Sequence, residues 1–520
     1  MPERIGFTGA AVYLGGGEVI EEGYVTVKGP IIEAVGPSCD LKKTPDFEVV
    51  DLAGGLMLAG LTDCHVHLVS YALGLIGLDL AGTTCLEEGL RMIERHLKHV
   101  PEGGWLSGRG WDKQRWGLSG FPTREMLDAI SGDHPVALTS RDGHLMWVNS
   151  VVLAKLGLDG KAFHIDGGEI ETDENGRPTG ILKENAAGLV ESRAGGEEKK
   201  RATAAIEAAS RKLVGLGLTC VHTIEDERDA EVTDLARERG FVGLDLVRLR
   251  EIKTVEDVER LSPSPRAAFV KIYADGALGS QTACMLKSYS CGPDNTGISV
   301  TSKGDLTDLV TLCVEKGLSV AVHAIGDKAN RDVLDVYEAV RKALPAGDTI
   351  LRVEHAQILR SEDIARFGRL GVIASMQPVH IVADMRVAEA YWGARCRNAY
   401  AWKSILLAGG TLAFGSDAPI EDPDPLKGIH AAVTRRNPDE PGSPSWYGDE
   451  RLTVAEAIDC YTRGAAAAGG EGVGSGRIEA GARANLTVLD KDILASEDPD
   501  TILDTSVEMT VIGGKVYASR

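Results

Sequence analysis

Two histidines, His65 and His67, stand on either side of Val66, directly after an apolar run at residues 56–61. Side chains two residues apart on an extended chain point the same way, so both imidazoles can approach one metal ion while Val66 packs outward. Taken alone, this spacing also fits two ordinary polar residues at a strand end. A metal site therefore needs further ligands elsewhere in the sequence.

Further candidate residues stand near the ends of other short apolar runs. They are His222, Lys271, His323, His355 and Asp417. With His65 and His67, they place five of the 12 histidines at such ends, which random placement would rarely do. Imidazole and carboxylate groups suit zinc, manganese, iron, cobalt or nickel, and zinc is the expected ion. The residues leave open whether one or two ions bind.

Lys271 cannot bind a cation as an ammonium ion, because like charges repel. A lysine that has reacted with CO₂ becomes a carbamate, whose two oxygens can bridge two ions. Burial on a strand would lower the pKa of the amine and so favour that reaction. The alternative is an ordinary salt bridge from Lys271 to Asp275 or Asp417, and sequence position does not decide between the two.

Eight short apolar runs alternate with helix-like stretches, a pattern typical of a parallel sheet covered by helices. The runs lie at residues 58–65, 218–224, 243–250, 268–276, 318–326, 350–356, 371–378 and 411–419. They predict an α/β fold, a closed (β/α)₈ TIM barrel, whose catalytic residues lie at the carboxyl ends of the strands. The candidate ligands fall at or near those ends.

Both ends of the chain contain short, β-branched stretches punctuated by glycine, which predict strands. Residues 1–58 and 476–520 are therefore predicted to form one small β-sandwich, with a barrel domain at residues 59–475 between them. About 150 residues separate the first two barrel runs, far more than a strand-to-helix loop needs. The segment at about 70–198 is predicted to be a lid subdomain inserted over the barrel mouth.

Composition excludes several classes of partner. A net charge of −21 and a pI of about 5.1 argue against a nucleic-acid groove and an anionic membrane surface. The nine cysteines include no C-x-x-C pair and fit reduced thiols, and no signal peptide or 18-residue apolar stretch is evident. We expect a cytoplasmic protein that acts on a small molecule, in an architecture where homodimers are common.

Six motifs, spread over nearly the whole chain, resemble those of the amidohydrolase superfamily. They are GLTDCHVH, VKIYADGALGSQTA, VAVHAIGD, RVEHAQ, SMQPVH and LAFGSDAPI, and RDGH in the insertion adds to the likeness. More narrowly, they resemble its family-3 branch, the N-substituted formamide deformylase-like metal-dependent hydrolases. One departure is Ala59, where the family commonly has proline, and it touches only the entry to a strand.

The resemblance implies a particular set of metal ligands. A carboxylated Lys271 would bridge two ions, with His65, His67 and Asp417 on one ion and His323 and His355 on the other. The resemblance says far less about the substrate, because family members act on very different amides and related bonds.

Water bound to such ions falls in pKa toward neutrality, which gives hydroxide at the working pH, and the ions also polarise the substrate carbonyl. Asp417 is the expected general base, which then returns the proton to the leaving nitrogen. His380 and His222 are candidates to bind the developing oxyanion or the substrate. The plainer interpretation of each is an ordinary histidine near the barrel mouth.

The insertion carries its own candidates. Asp142 and His144 of RDGH could contact the substrate or the metal ligands, or the motif could be a simple turn. Four of the seven tryptophans also lie in the insertion, where they form either its core or an apolar substrate wall. They are Trp105, Trp111, Trp116 and Trp147.

We therefore expect a metal-dependent amidohydrolase that hydrolyses an amide-type, non-peptide C–N bond of a small organic substrate. The alternatives are a deaminase or a hydrolase of cyclic esters (lactones) on the same scaffold, and more remotely a non-catalytic relative. A non-catalytic relative would have lost ligands, whereas all six candidates are present.

Overall fold

The structure, a computed structural model, describes residues 4–41, 48–158, 165–191, 196–239, 243–261, 269–292, 294–344, 347–471 and 475–519. The predicted terminal domain also includes residues 1–3, 42–47 and 520, and the predicted insertion residues 159–164 and 192–195. These segments lie outside the described residues.

An eight-stranded parallel sheet forms the centre of the molecule, and its strands follow one another in chain order. Barrel strands 1 to 8 are Leu61–Val66, Leu218–Glu225, Asp245–Glu251, Phe269–Tyr273, Ser319–Ala324, Leu351–His355, Ile373–Met376 and Thr411–Phe414. Each falls within or overlaps one of the eight predicted runs. The predicted TIM-barrel fold is confirmed in this sheet.

The sheet closes just beyond strand 8. Val66 forms a parallel bridge with Ala418. The Asp417 N–H donates to the His65 carbonyl at 2.7 Å, and the His67 N–H donates to the Ala418 carbonyl at 2.8 Å. This closure brings the end of strand 1 against the turn after strand 8, so the HVH and GSDAP motifs become neighbours.

The barrel strands are rich in valine, isoleucine and leucine, and strands 1, 2, 5 and 6 are buried along their whole length. Such continuous burial is typical of parallel strands covered on both faces. The helices of the chain are Leu68–Ile76, Leu86–Leu97, Arg124–Ser131, Ser150–Leu156, Gly188–Glu191, Gly196–Gly215, Glu227–Glu238, Val255–Arg260, Lys303–Glu315, Asp327–Ala343, Ser361–Leu370, His380–Trp392, Trp402–Leu407, Pro425–Thr434, Val454–Tyr461 and Arg463–Ala468.

A second eight-stranded sheet combines strands from both ends of the chain. In sheet order they are Lys515–Ser519, Val507–Ile512, Leu486–Leu489, Leu56–Ala59, Arg4–Gly15, Glu18–Lys28 and Ile31–Pro37, and Glu48–Asp51 also pairs with Arg4–Gly15. Leu56–Ala59 and Leu486–Leu489 pair antiparallel, which joins the two ends. Its division into the layers of a sandwich, and the exact domain limits, stay predictions.

The insertion contains a six-stranded sheet of its own. In sheet order its strands are Gly168–Thr172, Pro178–Glu184, Leu145–Val148, Val136–Ser140, Leu106–Trp111 and Leu78–Asp79. Trp111, Trp116 and Trp147 pack in its main core cluster, and each indole N–H donates within the insertion. Trp105 is partly buried against a neighbouring cluster. Core packing therefore accounts for these tryptophans, although Trp111 also borders a cleft described below.

In the part of the chain that the structure describes, no helix is both long enough and apolar enough to span a lipid bilayer.

Candidate metal centre

Three predicted ligands from distant parts of the chain converge at the carboxyl end of the barrel. His65, His355 and Asp417 each offer one ligand atom, and these atoms all lie within 4.8 Å of one another. The rings of His65 and His355 have centroids 4.8 Å apart, and His65 Nε2 lies 3.4 Å from Asp417 Oδ1. All three residues are buried. The set has the composition and compactness of a divalent metal site.

The backbone at two of these residues is held in an unusual conformation. His355 has φ of 71° and Asp417 has φ of 62°, in the left-handed region that non-glycine residues seldom adopt. Hydrogen bonds from the residue before Asp417 hold the turn after strand 8 in place. Asp63 accepts one from the Ser416 N–H at 2.9 Å and one from the Ser416 hydroxyl at 2.5 Å. Strained residues of this kind concentrate at functional sites, where neighbouring contacts hold them.

His67 and His323 border the cluster without joining its tightest group. His67 Nε2 lies 3.4 Å from Asp417 Oδ1, and the side chain keeps 28% exposure. The His323 ring has its centroid 4.5 Å from that of His355, but its Nε2 lies 3.1 Å from the Gly276 carbonyl oxygen. The roles of His67 and His323 as ligands stay predictions.

Lys271 lies fully buried on barrel strand 4. Its Nζ has no hydrogen-bond partner among the described residues, so the alternative of a hydrogen-bonded salt bridge to Asp275 or Asp417 is not seen. Burial lowers the pKa of the amine to about 8, although the negative charges of Glu354 and Asp417 oppose the shift. A neutral amine is the form that reacts with CO₂, so this environment is compatible with a carbamate at Lys271.

The donor set fits a divalent cation on two counts. Asp417 Oδ1 is buried without a hydrogen-bond partner in the described structure, and a cation would satisfy it. Burial, reinforced by the charge of Lys271, lowers the pKa of His65 to about 4. Burial also holds the pKa of His355 well below its usual value. Both imidazoles are therefore neutral near neutral pH, which is the protonation state that metal binding requires.

A buried chain of polar groups lies behind His65. The His65 Nδ1–H donates to Glu354 Oε2 at 2.7 Å, and Arg352 Nε donates to Glu354 Oε1 at 2.8 Å. Burial alone would raise the pKa of Glu354, but Arg352 and His65 hold it well below its usual value. Arg352 Nη1 in turn donates to His222 Nδ1 at 2.9 Å.

His222 therefore does not lie at the rim of the barrel. Its buried ring is linked to His65 through Arg352 and Glu354, and it is not among the residues that line the cleft. Sequence reasoning missed Arg352 and Glu354. Their alternate positions in the LRVEH strand were the available signal, because that spacing directs both side chains to one face.

A cleft that is open to solvent lies beside the three candidate ligands. His355, Asp417 and His380 line it from the barrel, and Asp142 and His144 line it from the insertion. Its remaining walls include Trp111, Asp112, Gln114, Phe121, Arg141, Leu278, Ile325, Gln357, Asp384, Val387, Ile420 and Glu421. The mixture of polar and apolar side chains in this lining suits a small organic molecule.

His380 faces the cluster from the first turn of helix His380–Trp392. Its Nε2 lies 3.3 Å from Asp417 Oδ2, on the carboxylate oxygen that is not shared with His65 and His67. Burial lowers the pKa of His380, but the contact with Asp417 outweighs burial and the net shift is upward. His380 can therefore donate a hydrogen bond in the cleft.

Asp142 and His144 form part of a fixed turn and also border the cleft. Asp142 Oδ1 accepts from the Ser140 hydroxyl at 2.5 Å and from the His144 N–H at 3.3 Å. His144 Nδ1 lies 2.8 Å from Glu184 Oε2. The turn and the functional interpretation of RDGH are thus both compatible with the geometry. Sequence reasoning did not single out Glu184, whose partner precedes it by 40 residues.

Comparison with known proteins agrees with a hydrolase barrel of this type. The model of the amidohydrolase family matches residues 48–518. YtcJ of Bacillus subtilis (strain 168), whose name places it among the amidohydrolases, is 33% identical over 520 residues, covering 96% of this chain and 98% of its own. The N-substituted formamide deformylase of Arthrobacter pascens is 30% identical over 492 residues, covering 90% of each chain.

Among solved structures, an uncharacterised metal-dependent hydrolase from Pyrococcus furiosus superposes with a TM-score of 0.71 at 28% identity, covering 94% of this chain and 100% of its own. The fold and the site together define a metal-dependent hydrolase. The chain belongs to the amidohydrolase family, as the sequence motifs predicted.

Proposed function

We propose that the protein hydrolyses an amide-type, non-peptide C–N bond of a small organic substrate bound in the cleft. The observation that carries the proposal is the buried His65–His355–Asp417 cluster, two of whose members, His355 and Asp417, line an open cleft. The name of the Arthrobacter pascens relative, an N-substituted formamide deformylase, supports a C–N bond as the target. The mixed polar and apolar lining of the cleft supports a small organic substrate.

We further propose zinc as the ion, held by His65, His355 and Asp417, with His67 and His323 as the additional histidine ligands. A second ion would require the carbamate of Lys271, and the buried amine of this residue, which forms no hydrogen bond among the described residues, supports that modification. Bound zinc supplies Lewis acidity, which makes a water molecule acidic and polarises the scissile carbonyl.

Asp417 is the proposed general base and acid. Burial alone would raise its pKa, but His65 and His380 outweigh burial and hold the pKa well below the usual value. The carboxylate is therefore ionised, and it is proposed to accept the proton of the attacking water. Delivery of that proton to the leaving nitrogen lets one carboxylate serve both halves of the reaction, and an amide nitrogen leaves poorly unless protonated.

His380 is the proposed donor to the oxygen that becomes negative during the attack. It lines the cleft beside Asp417, and its raised pKa favours a ring with a proton available on each nitrogen. Asp142 and His144 are proposed to contact the substrate from the insertion. His222, buried behind the ligands, is proposed to act only on the position of Arg352.

The proposal is tested with metal-loaded protein and a panel of N-formyl and N-acyl amides, a lactone, and an amino-substituted heterocycle. Release of an amine and a carboxylate from an amide, lost on chelation and restored by zinc, is the expected result. Turnover of only the lactone or only the aminoheterocycle would instead favour the alternative activities. Amide hydrolysis that persists after complete metal removal would contradict the mechanism.

A further inference from the structure

The insertion contributes a histidine–carboxylate pair to the cleft. His144 Nδ1 lies 2.8 Å from Glu184 Oε2, and the side chains are 15% and 6% exposed. His144 lines the cleft, and the centroid of its ring lies 5.2 Å from that of His323. Glu184 is not among the residues lining the cleft, so it reaches that space only through His144.

Glu184 is held in this place at a structural cost. It ends insertion strand Pro178–Glu184 with φ of 51°, and its N–H donates to the His144 carbonyl at 3.0 Å. Its Oε1 is buried and has no hydrogen-bond partner among the described residues. A strained backbone and an unpaired carboxylate oxygen both cost free energy, and such costs persist where the local geometry serves a function.

The Glu184 carboxylate lies close to the barrel at Gly276, where a larger residue would not fit. A Cβ on Gly276 would lie 2.1 Å from Glu184 Oε1 and 2.1 Å from Thr282 Oγ1. Gly276 follows barrel strand 4, on which Lys271 lies. Glu184 therefore packs against the loop that follows barrel strand 4. The insertion and the barrel are in direct contact there.

The contact with Glu184 also determines which nitrogen of His144 remains for a ligand. Nδ1 is directed at Glu184, and no described residue forms a hydrogen bond with Nε2. A carboxylate can only accept, so the hydrogen of Nδ1 stays on the ring. Nε2 is then the ring nitrogen that remains for a molecule in the cleft.

We propose that Glu184 is a positioning residue that holds the His144 imidazole by Nδ1 and presents Nε2 to the substrate. The proposal rests on the proposed function in one respect, the identity of the group that Nε2 contacts. That group would be the amide of the substrate, at its carbonyl oxygen or its leaving nitrogen. It makes the insertion a part of the active site rather than a cover over it. A purely structural pair would instead tie strand Pro178–Glu184 to the turn at His144 and leave turnover unaffected.

One substitution at His144 and one at Glu184 separate the roles of the two ring nitrogens. In His144→Asn the amide nitrogen takes the place of Nδ1 and can still donate to Glu184, but the group equivalent to Nε2 is absent. We expect kcat to fall about 100-fold, with folding and zinc content unchanged. In Glu184→Gln the ring is held less firmly, and we expect kcat to fall about 10-fold with KM changed less than kcat.

The double variant is the decisive measurement. If Glu184 acts through His144, then Glu184→Gln in the His144→Asn background causes no further loss of kcat. Losses that multiply in the double variant would overturn the proposal, as would full activity of His144→Asn. Glu169→Gln is the matched control, because Glu169 is 50% exposed in the same sheet and its one ion pair among the described residues is with Lys183. It should leave kcat unchanged.

A second measurement needs no substrate. In protein labelled with ¹⁵N-histidine, the resonance that disappears in His144→Asn identifies His144, and its Nδ1 should carry a hydrogen-bonded proton with or without zinc. Glu184→Gln should shift or weaken that proton signal. A His144 whose Nδ1 carries no proton overturns the proposal. Since this result does not depend on turnover, it separates failure of the positioning role from failure of the proposed function.

Discussion

Glu354 shows how one buried carboxylate fixes the orientation of a candidate metal ligand, His65. It accepts from His65 Nδ1, so Nε2 of the same ring faces Asp417. A carboxylate in this position also increases the basicity of the imidazole and so strengthens its bond to a metal. The proton on Nδ1 and the lone pair on Nε2 are thus assigned by a residue that does not itself face the cleft.

We predict that Glu354→Gln weakens zinc binding by about 10–100-fold, because the amide accepts the His65 proton less strongly than the carboxylate. A competitive chelator titration measures the change. Glu362→Gln is the control, since Glu362 is 71% exposed and pairs with Arg360 on the surface. Equal zinc affinity in the wild type and Glu354→Gln would show that Glu354 does not act through His65.

Gly276 offers a second test at the scale of one residue. A methyl group there would lie 2.1 Å from Glu184 Oε1 and 2.5 Å from Thr282 Cβ, so both neighbours must move. We predict that Gly276→Ala lowers the free energy of unfolding by about 1–3 kcal/mol, the usual range for overpacking. Because Glu184 is displaced, kcat should fall as well. Thermal unfolding and steady-state kinetics measure the two effects.

Gly120→Ala is the control for that prediction. A Cβ on Gly120 meets no heavy atom within 4 Å, and its φ is outside the left-handed region. If Gly276→Ala is as stable and as active as Gly120→Ala, then the close approach at Gly276 has no bearing on the site.

At the scale of elements, the insertion is attached to the barrel through two different loops. Gln114 Nε2 donates to the Gly279 carbonyl at 2.7 Å in the loop after strand 4. Arg141 Nη2 pairs with Glu421 Oε1 at 2.6 Å in the loop after strand 8, and Arg109 donates to the Pro419 carbonyl there. These contacts hold the insertion in place over the cleft.

We predict that Arg141→Met weakens the attachment of the insertion to the barrel while the barrel stays folded. The substitution removes the partner of Glu421, whose side chain is 13% exposed, and such a loss costs about 1–3 kcal/mol. Hydrogen exchange should rise in insertion strands Leu106–Trp111 and Val136–Ser140 and stay unchanged in barrel strands 5 and 6. Arg211→Met, at an exposed helical pair with Glu207, is the control. Faster exchange throughout the barrel would contradict a local effect.

The elements themselves could be predicted from sequence because each carries its own pattern. The apolar runs predicted all eight barrel strands, and the positions at their ends predicted His65, His355 and Asp417. The contacts between the insertion and the barrel could not be predicted in the same way. Arg141 and Glu421 are 280 residues apart, and neither lies in a periodic pattern that indicates the other. Glu184 likewise has the sequence pattern of an ordinary polar residue at the end of a hairpin strand. Only the folded structure shows that it lies against Gly276.

At the scale of the whole molecule, the terminal sheet supports the end of the barrel remote from the cleft. Thr487 Oγ1 donates to the Gly217 carbonyl at 2.7 Å and accepts from the Leu61 N–H at 3.2 Å. Both contacts lie at the amino ends of strands 1 and 2. In a barrel of this kind residues at that end serve stability, and those at the carboxyl end serve catalysis. The terminal sheet therefore supports strand 1, whose far end carries the candidate ligand His65.

Because the candidate ligands come from strands 1 and 6 and the turn after strand 8, an ion bound to them would join both sides of the point where the barrel closes. An ion that binds only the folded state stabilises it by about 2.7 kcal/mol when its concentration is 100 times its dissociation constant. We predict that zinc raises the melting temperature of the metal-free protein in a concentration-dependent manner. Asp417→Asn should abolish most of that increase, since it removes the charged ligand.

Asp422→Asn is the matched control, because Asp422 lies in the same loop but pairs with Lys427 at the surface. It should keep the full increase in melting temperature. If Asp417→Asn shows the same zinc-dependent increase as the control, then the ion binds elsewhere. In that case the convergence of His65, His355 and Asp417 would be a feature of barrel closure alone, and the proposed hydrolysis would lose its chemical basis.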